Sequence, residues 1–294
     1  MTQTLQKTPS TLGDILGRAV EHLKAKGYAT PRLDAELLLA HSLEFSRIDL
    51  YTKFDRPLDA SEVTKFRNLL IRRLQQEPVA YIVGKKEFMG LPFFVSRDVL
   101  IPRSETEVLV ETALEIFRPK GEQSLHILDL GVGSGCVGLS LLHHLPQSTL
   151  EGWDVSDALQ VAEQNARHFG FDSSRYCFKK KDMLADDWER DHTFDLIVSN
   201  PPYIAESERE NLAESVSRYE PAIALFAPDN GLKFYKKIAD CARTSLKKDG
   251  RLLVEIGASQ KEEVVRAFSN FGWQDIRSHK DLIGHDRVVE GRYG

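Results

Sequence analysis

The chain has 294 residues, of which 41% are hydrophobic and 28% charged, and its formal net charge is -5. This is an ordinary globular composition, and the length suits one large domain or two smaller ones. The negative balance argues against a broad electrostatic grip on nucleic acid, so no stable nucleic-acid partner is expected. The most apolar long stretch, residues 125–145, is interrupted by Asp129 and several glycines, which excludes a membrane span. The N-terminus also lacks the pattern of a secretory signal.

Residues 1–76 carry the signals of a small helical domain that follows a polar tail. In the first helix, apolar residues recur at helical spacing, and Thr11 and Asp14 form a capping pair. Pro31 suits the first turn of the second helix, because its missing N–H has no helical partner there. The four predicted helices begin near Thr11, Thr30, Ser46 and Asp59.

The pattern changes over residues 77–103. Phe88 and Phe93 flank a Gly-Leu-Pro turn at residues 90–92, which is typical of a β-hairpin. We expect this hairpin to connect the helical domain to a third segment, residues 104–294.

Strands and helices alternate from Glu105 onward. This alternation predicts an α/β fold with a doubly wound, mostly parallel sheet. A short link joins two last strands, at residues 273–279 and 287–293, and suits an antiparallel closing pair. The earlier strands are predicted at residues 125–130, 150–153, 176–178, 194–199 and 251–256.

The helix predicted over residues 105–117 begins at a Ser-x-x-Glu pattern formed by Ser104 and Glu107. This pattern indicates a capping box, in which the two side chains satisfy backbone N–H groups of the first turn. We assign Glu107 to this cap and leave Arg103 open as an active-site candidate.

A glycine-rich loop, residues 129–135, follows the first strand of the predicted sheet. Glycines allow a tight turn and a close approach to a ligand, and ligands bind at the carboxyl ends of strands in such sheets. The loop does not fit a dinucleotide fingerprint, whose third glycine would fall at Cys136, and it lacks the Gly-Lys-Ser/Thr of a P-loop. The candidate cofactor-binding residues of the loop are Asp129, Gly131, Val132, Gly133, Ser134 and Gly135.

Asp154 closes the second predicted strand, where a carboxylate can bind both hydroxyls of a ribose. NAD and S-adenosylmethionine both carry such a ribose, so Asp154 alone does not separate them. The alternative is a cap for the next helix, shared with Ser156 and Asp157. Because the glycine loop accompanies Asp154, we favour ribose binding.

Four residues follow the strand predicted at residues 194–199: Asn200, Pro201, Pro202 and Tyr203. Asn200 offers an oxygen acceptor, and the prolines lack a backbone N–H, so the loop presents carbonyls without competing donors. Pro202 also restricts Pro201 to an extended conformation, and Tyr203 adds a flat face. Together they form a slot for a planar NH2 group, as found in amides and in the exocyclic amines of nucleobases.

The glycine loop, Asp154 and residues 200–203 resemble methyltransferases that use S-adenosylmethionine to methylate a planar nitrogen, either on adenine or on a glutamine amide. The rest of the chain resembles the release-factor glutamine methyltransferases, the PrmC/HemK family, from about Leu12 to Tyr293. The further segments that carry the resemblance are residues 32–39, 56–58, 77–82, 100–107, 220–221, 229–232, 255–257 and 286–289.

This resemblance implies a Rossmann-like class I methyltransferase fold, with S-adenosyl-L-methionine as cofactor and bacterial class I peptide chain release factors as protein substrates. The methylated group would be the glutamine amide of their Gly-Gly-Gln motif. Asn200, Pro201 and Tyr203 would be catalytic, and residues 200–203 would bind the substrate. The resemblance adds these cofactor-binding residues to the loop and Asp154: Val155, Asp182, Met183 and Asn200.

Three residues depart from the usual family pattern: Ser104 replaces a proline, Val132 replaces a threonine, and Met183 stands where an aromatic residue is common. None removes a donor or acceptor that the chemistry requires, and Met183 can still pack against a ring.

Two alternatives use the same slot: a glutamine methyltransferase of a ribosomal protein, and an adenine-amine methyltransferase acting on nucleic acid. The latter needs a basic recognition region that the acidic composition does not supply. A nicotinamide-dependent oxidoreductase would leave residues 200–203 unexplained. Basic residues between Lys65 and Lys86 are either a docking patch or a solvated face, and the sequence leaves both open.

The remaining expectations are negative or general. Cys136, Cys177 and Cys241 lack the spacing of metal ligands, so we expect free thiols in a reducing cytoplasm and no metal site. We also expect a monomer without membrane association.

Overall fold

The computed structural model describes residues 10–118, 124–188 and 191–294. Their contacts divide the chain into two compact units, residues 1–84 and 85–294. The smaller unit has one apolar core, and the larger has two that lie on opposite faces of its sheet. The predicted polar tail before Ser10 falls outside the described residues. Within the described ranges, every helix is too short or too polar to cross a membrane.

The smaller unit is helical, and its helix starts follow the capping rules. Thr11, Ser46 and Asp59 each form a capping box with an acidic residue three positions later. The last helix was not predicted, and it places residues 79–83 with the helical unit. The helices are α1 (Leu12–Ala25), α2 (Pro31–Leu43), α3 (Arg47–Thr52), α4 (Ala60–Leu74) and α5 (Val79–Val83).

Two of the basic residues near the end of α4 are engaged in ion pairs. Arg72 lies 2.8 Å from Glu77, and Arg73 lies 2.7 Å from the buried carboxylate of Asp34. These two side chains therefore support the helical unit. The docking patch that the sequence left open stays a prediction.

The larger unit begins with the predicted β-hairpin, formed by β1 (Lys85–Phe88) and β2 (Leu91–Phe94). Phe88 and Phe93 are buried in an apolar core of this unit. The buried Asn165 accepts a hydrogen bond from the backbone of Phe94 at 2.7 Å and donates one back at 3.0 Å. The hairpin is therefore packed as part of the larger unit, and its separate role as a connector stays a prediction.

A seven-stranded sheet organises the larger unit, in the order β10-β11-β9-β6-β3-β4-β5. Strands β5, β4, β3, β6 and β9 run parallel, whereas β11 is antiparallel to both β9 and β10. This confirms the predicted α/β fold with a closing antiparallel pair. The strands are β3 (His126–Leu130), β4 (Thr149–Asp154), β5 (Tyr176–Lys180), β6 (Phe194–Ser199), β9 (Leu246–Glu255), β10 (Gln274–Lys280) and β11 (Asp286–Arg292), with a separate parallel pair formed by β7 (Ile204–Ala205) and β8 (Phe226–Ala227).

Helices cover both faces of the sheet, which explains why its central strands are nearly continuous apolar runs. Successive residues of one strand serve opposite faces: Ile127 packs into the core on one side and Leu128 into the core on the other. The helices of this unit are α6 (Glu107–Phe117), α7 (Cys136–His144), α8 (Ala158–His168), α9 (Glu214–Ser217), α10 (Lys233–Ser245) and α11 (Lys261–Asn270).

The predicted capping box of α6 is wrong. The helix is entered through a 3₁₀ turn, Ser104–Thr106, so Glu107 is already its first residue. The Ser104 hydroxyl donates to Glu105, and the Glu107 carboxylate accepts from the backbone N–H of Met89 at 2.6 Å. Glu107 therefore binds the turn of the hairpin, a contact that its local sequence does not reveal.

Candidate active site

A cavity of about 340 Å³ lies where β3, β4 and β6 end. These strands are neighbours in the sheet and run parallel, so the segments that follow them meet at one edge. The structure thus brings together three motifs that are far apart in sequence. The predicted site residues that line the cavity are Asp129, Gly131, Val132, Gly133, Ser134, Asp154, Val155, Asp182, Met183, Asn200 and Pro202.

The glycine loop approaches the cavity with its backbone. Gly131 and Gly133 have φ angles of +74° and +53°, in the left-handed region that favours glycine. A Cβ atom added at Gly131 would lie 3.1 Å from Cε of Met183. Gly135, by contrast, lies outside the cavity lining and precedes α7, where an added Cβ would lie 2.8 Å from a Leu139 methyl group. Gly135 therefore serves the packing of the helix.

Asp129, at the start of the glycine loop, is hydrogen-bonded to the helix that follows the loop. Its carboxylate is buried and accepts a 2.9 Å hydrogen bond from the backbone of Gly138 in α7. Burial raises the pKa of Asp129 to about 7, and the nearby charge of Asp154 acts in the same direction. Its hydrogen bond to Gly138, which opposes this rise, connects the glycine loop to the first turns of α7.

Asp154 lines the cavity and also organises the chain around itself. One carboxylate oxygen accepts from the backbone N–H of Gly133 at 3.0 Å. The other accepts from the backbone and the hydroxyl of Ser156, at 2.9 and 2.7 Å. Ser156, and not Asp157, then accepts a hydrogen bond from the first residue of α8. The two interpretations of Asp154 are thus compatible, and its ribose contact stays a prediction.

Asn200 is held by a residue to which the sequence analysis gave no role. Its side-chain NH2 group donates to the hydroxyl of Thr106 at 3.1 Å, and Thr106 is itself buried. Because the nitrogen is engaged in this way, the amide presents Oδ1 as its acceptor. Asn200 and Thr106 both line the cavity, so this acceptor lies at its wall.

Pro201 and Tyr203 do not line the cavity, and Pro201 is buried. The Tyr203 carbonyl accepts a 2.9 Å hydrogen bond from the side-chain amide of Gln260. Burial raises the pKa of Tyr203 to about 12, so its phenol is neutral at ordinary pH. A Cβ atom added at Gly231 would lie 2.1 Å from the Tyr203 carbonyl oxygen. The loop after Asn200 is therefore packed tightly from outside the cavity.

Arg103, left open by the sequence, lies at the cavity and is paired. Its guanidinium contacts the carboxylate of Glu220 at 2.6 Å, and the other oxygen of Glu220 accepts from the backbone of Ile101 at 3.1 Å. Glu220 is buried, so this pair holds the segment before α6 in place.

Sequence reasoning missed part of the cavity wall. Thr106 lies in residues 100–107, a segment that resembles the family but to whose Thr106 no role was assigned. Ile223 and Phe234 have no sequence pattern that indicates a site. These residues also line the cavity: Val99, Leu100, Pro102, Lys181 and Leu184. The described residues contain no cluster of His, Cys, Asp and Glu that could hold a metal ion.

Comparisons with known proteins show the class of domain to which the larger unit belongs. Residues 104–218 match the family model of the methyltransferase small domain. A solved methyltransferase from Pyrococcus furiosus has the same fold, with a TM-score of 0.50 and 17% identity over 77% of this chain and 98% of that chain. The larger unit is therefore a Rossmann-like class I methyltransferase domain.

The family follows from matches that extend over nearly the whole chain. Residues 14–84 match the model of the PrmC N-terminal domain. The release factor glutamine methyltransferase of Geobacter sulfurreducens is 40% identical over 97% of both chains. That of Chlorobaculum tepidum is 41% identical over 93% of this chain and 94% of its own. The chain belongs to the release factor glutamine methyltransferase family.

Proposed function

We propose that this protein transfers a methyl group from S-adenosyl-L-methionine to the glutamine side-chain amide in the Gly-Gly-Gln motif of bacterial class I peptide chain release factors. Within this family, one observation carries the proposal: the Asn200 amide is oriented by Thr106 at the wall of a cavity that the glycine loop and Asp154 also line. An oriented oxygen acceptor suits a substrate that arrives as an NH2 donor.

The part of the cavity lined by the glycine loop, Asp154 and Val155, here called the cofactor end, has residues that fit the cofactor. Gly131 and Gly133 line the cavity in left-handed conformations that let the backbone come close to a ligand, and Asp154 offers a carboxylate to paired hydroxyls. Val155 and Met183 add apolar surface suited to an adenine ring. When bound there, S-adenosylmethionine supplies an electrophilic methyl group on a positively charged sulfur.

The part of the cavity around Asn200 and Thr106, here called the acceptor end, has to position the substrate amide nitrogen. This nitrogen is a weak nucleophile, because its lone pair is delocalised into the carbonyl. In this proposal, Oδ1 of Asn200 accepts one N–H group at the cavity wall. The carbonyl of Pro201, a buried residue outside the lining, accepts the other when the substrate is bound, and each bond is worth about 1 kcal/mol net. Placement is the larger effect, since holding reactants in line supplies roughly 7–11 kcal/mol. Pro202 and the neutral ring of Tyr203 support the slot. The substrate nitrogen itself bonds to the methyl group as the bond between methyl and sulfur breaks, and it then loses one proton to solvent, so no protein nucleophile is needed.

We also propose where the enzyme acts and in what oligomeric state. Release factors act in translation termination, so we place the enzyme in the cytoplasm. We further propose that it acts as a monomer and forms no stable complex with nucleic acid.

The decisive experiment supplies the enzyme with methyl-labelled S-adenosylmethionine and four separate acceptors. These are an intact release factor, the same factor with its motif glutamine changed to alanine, total ribosomal protein, and nucleic acid. We expect label on the intact release factor alone. Label on ribosomal protein or on adenine would instead assign one of the two alternative substrates.

A further inference from the structure

Arg103 places a cation at the wall of the cavity without using all of its hydrogen-bond donors. It lines the cavity, and 34% of its side chain is exposed. Among the described residues, its guanidinium makes one hydrogen bond, from Nη2 to the carboxylate of Glu220 at 2.6 Å. The Nε and Nη1 donors have no partner in that part of the chain and stay accessible. Arg103 therefore has donors left for a ligand.

The backbone connects Arg103 to the acceptor end. The Arg103 carbonyl accepts a 3.2 Å hydrogen bond from the backbone N–H of Thr106, across a single 3₁₀ turn. The Thr106 hydroxyl in turn accepts from Nδ2 of Asn200 at 3.1 Å. All three residues line the cavity. The free donors of Arg103 thus belong to the part of the site that receives the substrate.

Glu220 holds the guanidinium in place. Its carboxylate is only 1% exposed, and its two oxygens bind different groups. Oε1 contacts Arg103, and Oε2 accepts from the backbone N–H of Ile101 at 3.1 Å, two residues earlier in the chain. A long side chain that is already ordered loses little conformational freedom when a ligand binds to it. The pair therefore prepares Arg103 for binding.

The charge balance indicates which kind of acceptor the free donors suit. Glu220 already neutralises the guanidinium, and a second carboxylate would be repelled by the buried one. A neutral carbonyl oxygen avoids this repulsion. In the proposed substrate, the glutamine follows two glycines, which have no side chains to cover their main-chain carbonyls.

We propose that Arg103 binds a main-chain carbonyl oxygen of the glycine segment next to the substrate glutamine, with Glu220 as the positioning residue that holds the guanidinium. The inference rests on the proposed function and adds a second element of substrate recognition to it. Asn200 recognises the side-chain amide by accepting from it, whereas Arg103 recognises the adjoining main chain by donating to it.

The test uses the double variant Arg103→Met/Glu220→Gln. It removes the guanidinium without leaving a buried charge unpaired, and glutamine can still accept from the Ile101 backbone. We expect the KM for the release factor to rise about 10- to 100-fold, the loss expected for one hydrogen bond from a charged donor. The kcat at saturating release factor and the dissociation constant for S-adenosylmethionine should stay close to wild type, because Asn200 and Asp154 are unchanged.

Two further variants separate substrate binding from the ion pair. Glu220→Gln keeps the guanidinium and should raise the KM much less than the double variant does. The matched control is Arg251→Met/Glu290→Gln, which neutralises an ion pair of 2.9 Å whose carboxylate is also buried and whose residues lie outside the cavity lining. This control should leave the KM for the release factor unchanged.

Several results would overturn the inference while the wild-type enzyme remains active on the release factor. These are an unchanged KM in the double variant, or a KM equal to that of Glu220→Gln. An unchanged KM with weaker binding of S-adenosylmethionine would instead assign the guanidinium to the cofactor carboxylate. Inactivity of the wild-type enzyme on the release factor would refute the proposed function, and the inference with it.

Arg103→Lys decides the matter if the double variant has too low a Tm to be assayed. Lysine keeps a positive charge opposite Glu220 but lacks the planar fork that serves two acceptors at once. We expect a raised KM for the release factor in this variant too, with normal affinity for S-adenosylmethionine. A wild-type KM would show that the fork is not used and would overturn the inference.

Discussion

Asp154 and Asn200 line one cavity and follow β4 and β6, which lie on either side of β3 in the sheet. Different kinds of contact hold these two side chains. The Asp154 carboxylate is bound by Ser156, two residues away, and by the backbone of Gly133, 21 residues away. Asn200 is bound by Thr106, which is 94 residues away in sequence. The cofactor end is thus built from adjacent loops of the sheet, whereas the acceptor end depends on a segment that enters from before the first strand of the sheet.

The two ends also differ in how they accommodate the backbone. At the cofactor end, the left-handed φ angles of Gly131 and Gly133 shape the cavity wall directly. At the acceptor end, the tight contact lies behind the wall, where Gly231 packs against the Tyr203 carbonyl. We therefore expect substitutions outside the cavity to disturb substrate contacts, whereas cofactor contacts should be lost mainly through substitutions in its lining.

The largest expected effect comes from removing the acceptor itself. We expect Asn200→Ala to lower kcat by at least about 100-fold, as seen when one preorganised hydrogen-bonding group is removed from a reacting centre. The dissociation constant for S-adenosylmethionine, measured by calorimetry, should stay nearly unchanged, because the cofactor end keeps its own contacts. Wild-type turnover in this variant would remove Asn200 from the mechanism.

The next largest effect is expected for Asp154→Ala, which tests the cofactor end of the cavity. A hydrogen bond to a charged group is worth about 1.5–3 kcal/mol, so the dissociation constant for S-adenosylmethionine should rise about 10- to 100-fold. Turnover at saturating cofactor should recover much of its wild-type value. Asp154→Asn serves as the control that retains size without charge. Unchanged cofactor affinity in both variants would return Asp154 to a structural role.

A smaller effect is expected for Gly231→Ala. Gly231 lies outside the cavity lining and packs against the Tyr203 carbonyl. Gly231 has a φ angle of +85°, and the added Cβ would lie 2.1 Å from a backbone oxygen. We expect a loss of about 1–3 kcal/mol in the free energy of unfolding, measured with denaturant, together with reduced kcat. Gly27→Ala is the matched control, since its φ is +80° but nothing lies within 4 Å of the added atom. Equal losses in the two variants would show that backbone strain alone is responsible.

The smallest effect should come from Ser156→Ala, which removes one of the hydrogen bonds to Asp154 and the cap of α8. Losing such a cap costs about 1 kcal/mol of stability. Cofactor affinity should weaken only a few-fold, because the backbone N–H groups of Gly133 and Ser156 still bind the carboxylate. An effect as large as that of Asp154→Ala would mean that the cofactor end depends on Ser156 as strictly as the acceptor end depends on Thr106.

Much of the fold was predictable because its signals are local. Phe194–Ser199 was recognised from its apolar run with the same bounds that the structure shows. The three capping boxes of the helical unit follow from residues three positions apart. The same rule failed at Ser104 and Glu107, because Glu107 binds the Met89 backbone in the hairpin turn instead. A capping pattern predicts a helix start only where no distant group competes for its carboxylate.

The sequence by itself determined which chemical groups follow each strand: glycines after β3, a carboxylate after β4, and an amide with two prolines after β6. Parallel strands then bring those groups to one edge, so the existence of a site was already implied. Only the tertiary structure decided which way the Asn200 amide faces. That orientation depends on a hydrogen bond to the buried Thr106, which lies 94 residues away in sequence. Hydrogen-bond polarity and desolvation are properties of packed neighbours, and no local pattern in this sequence records them.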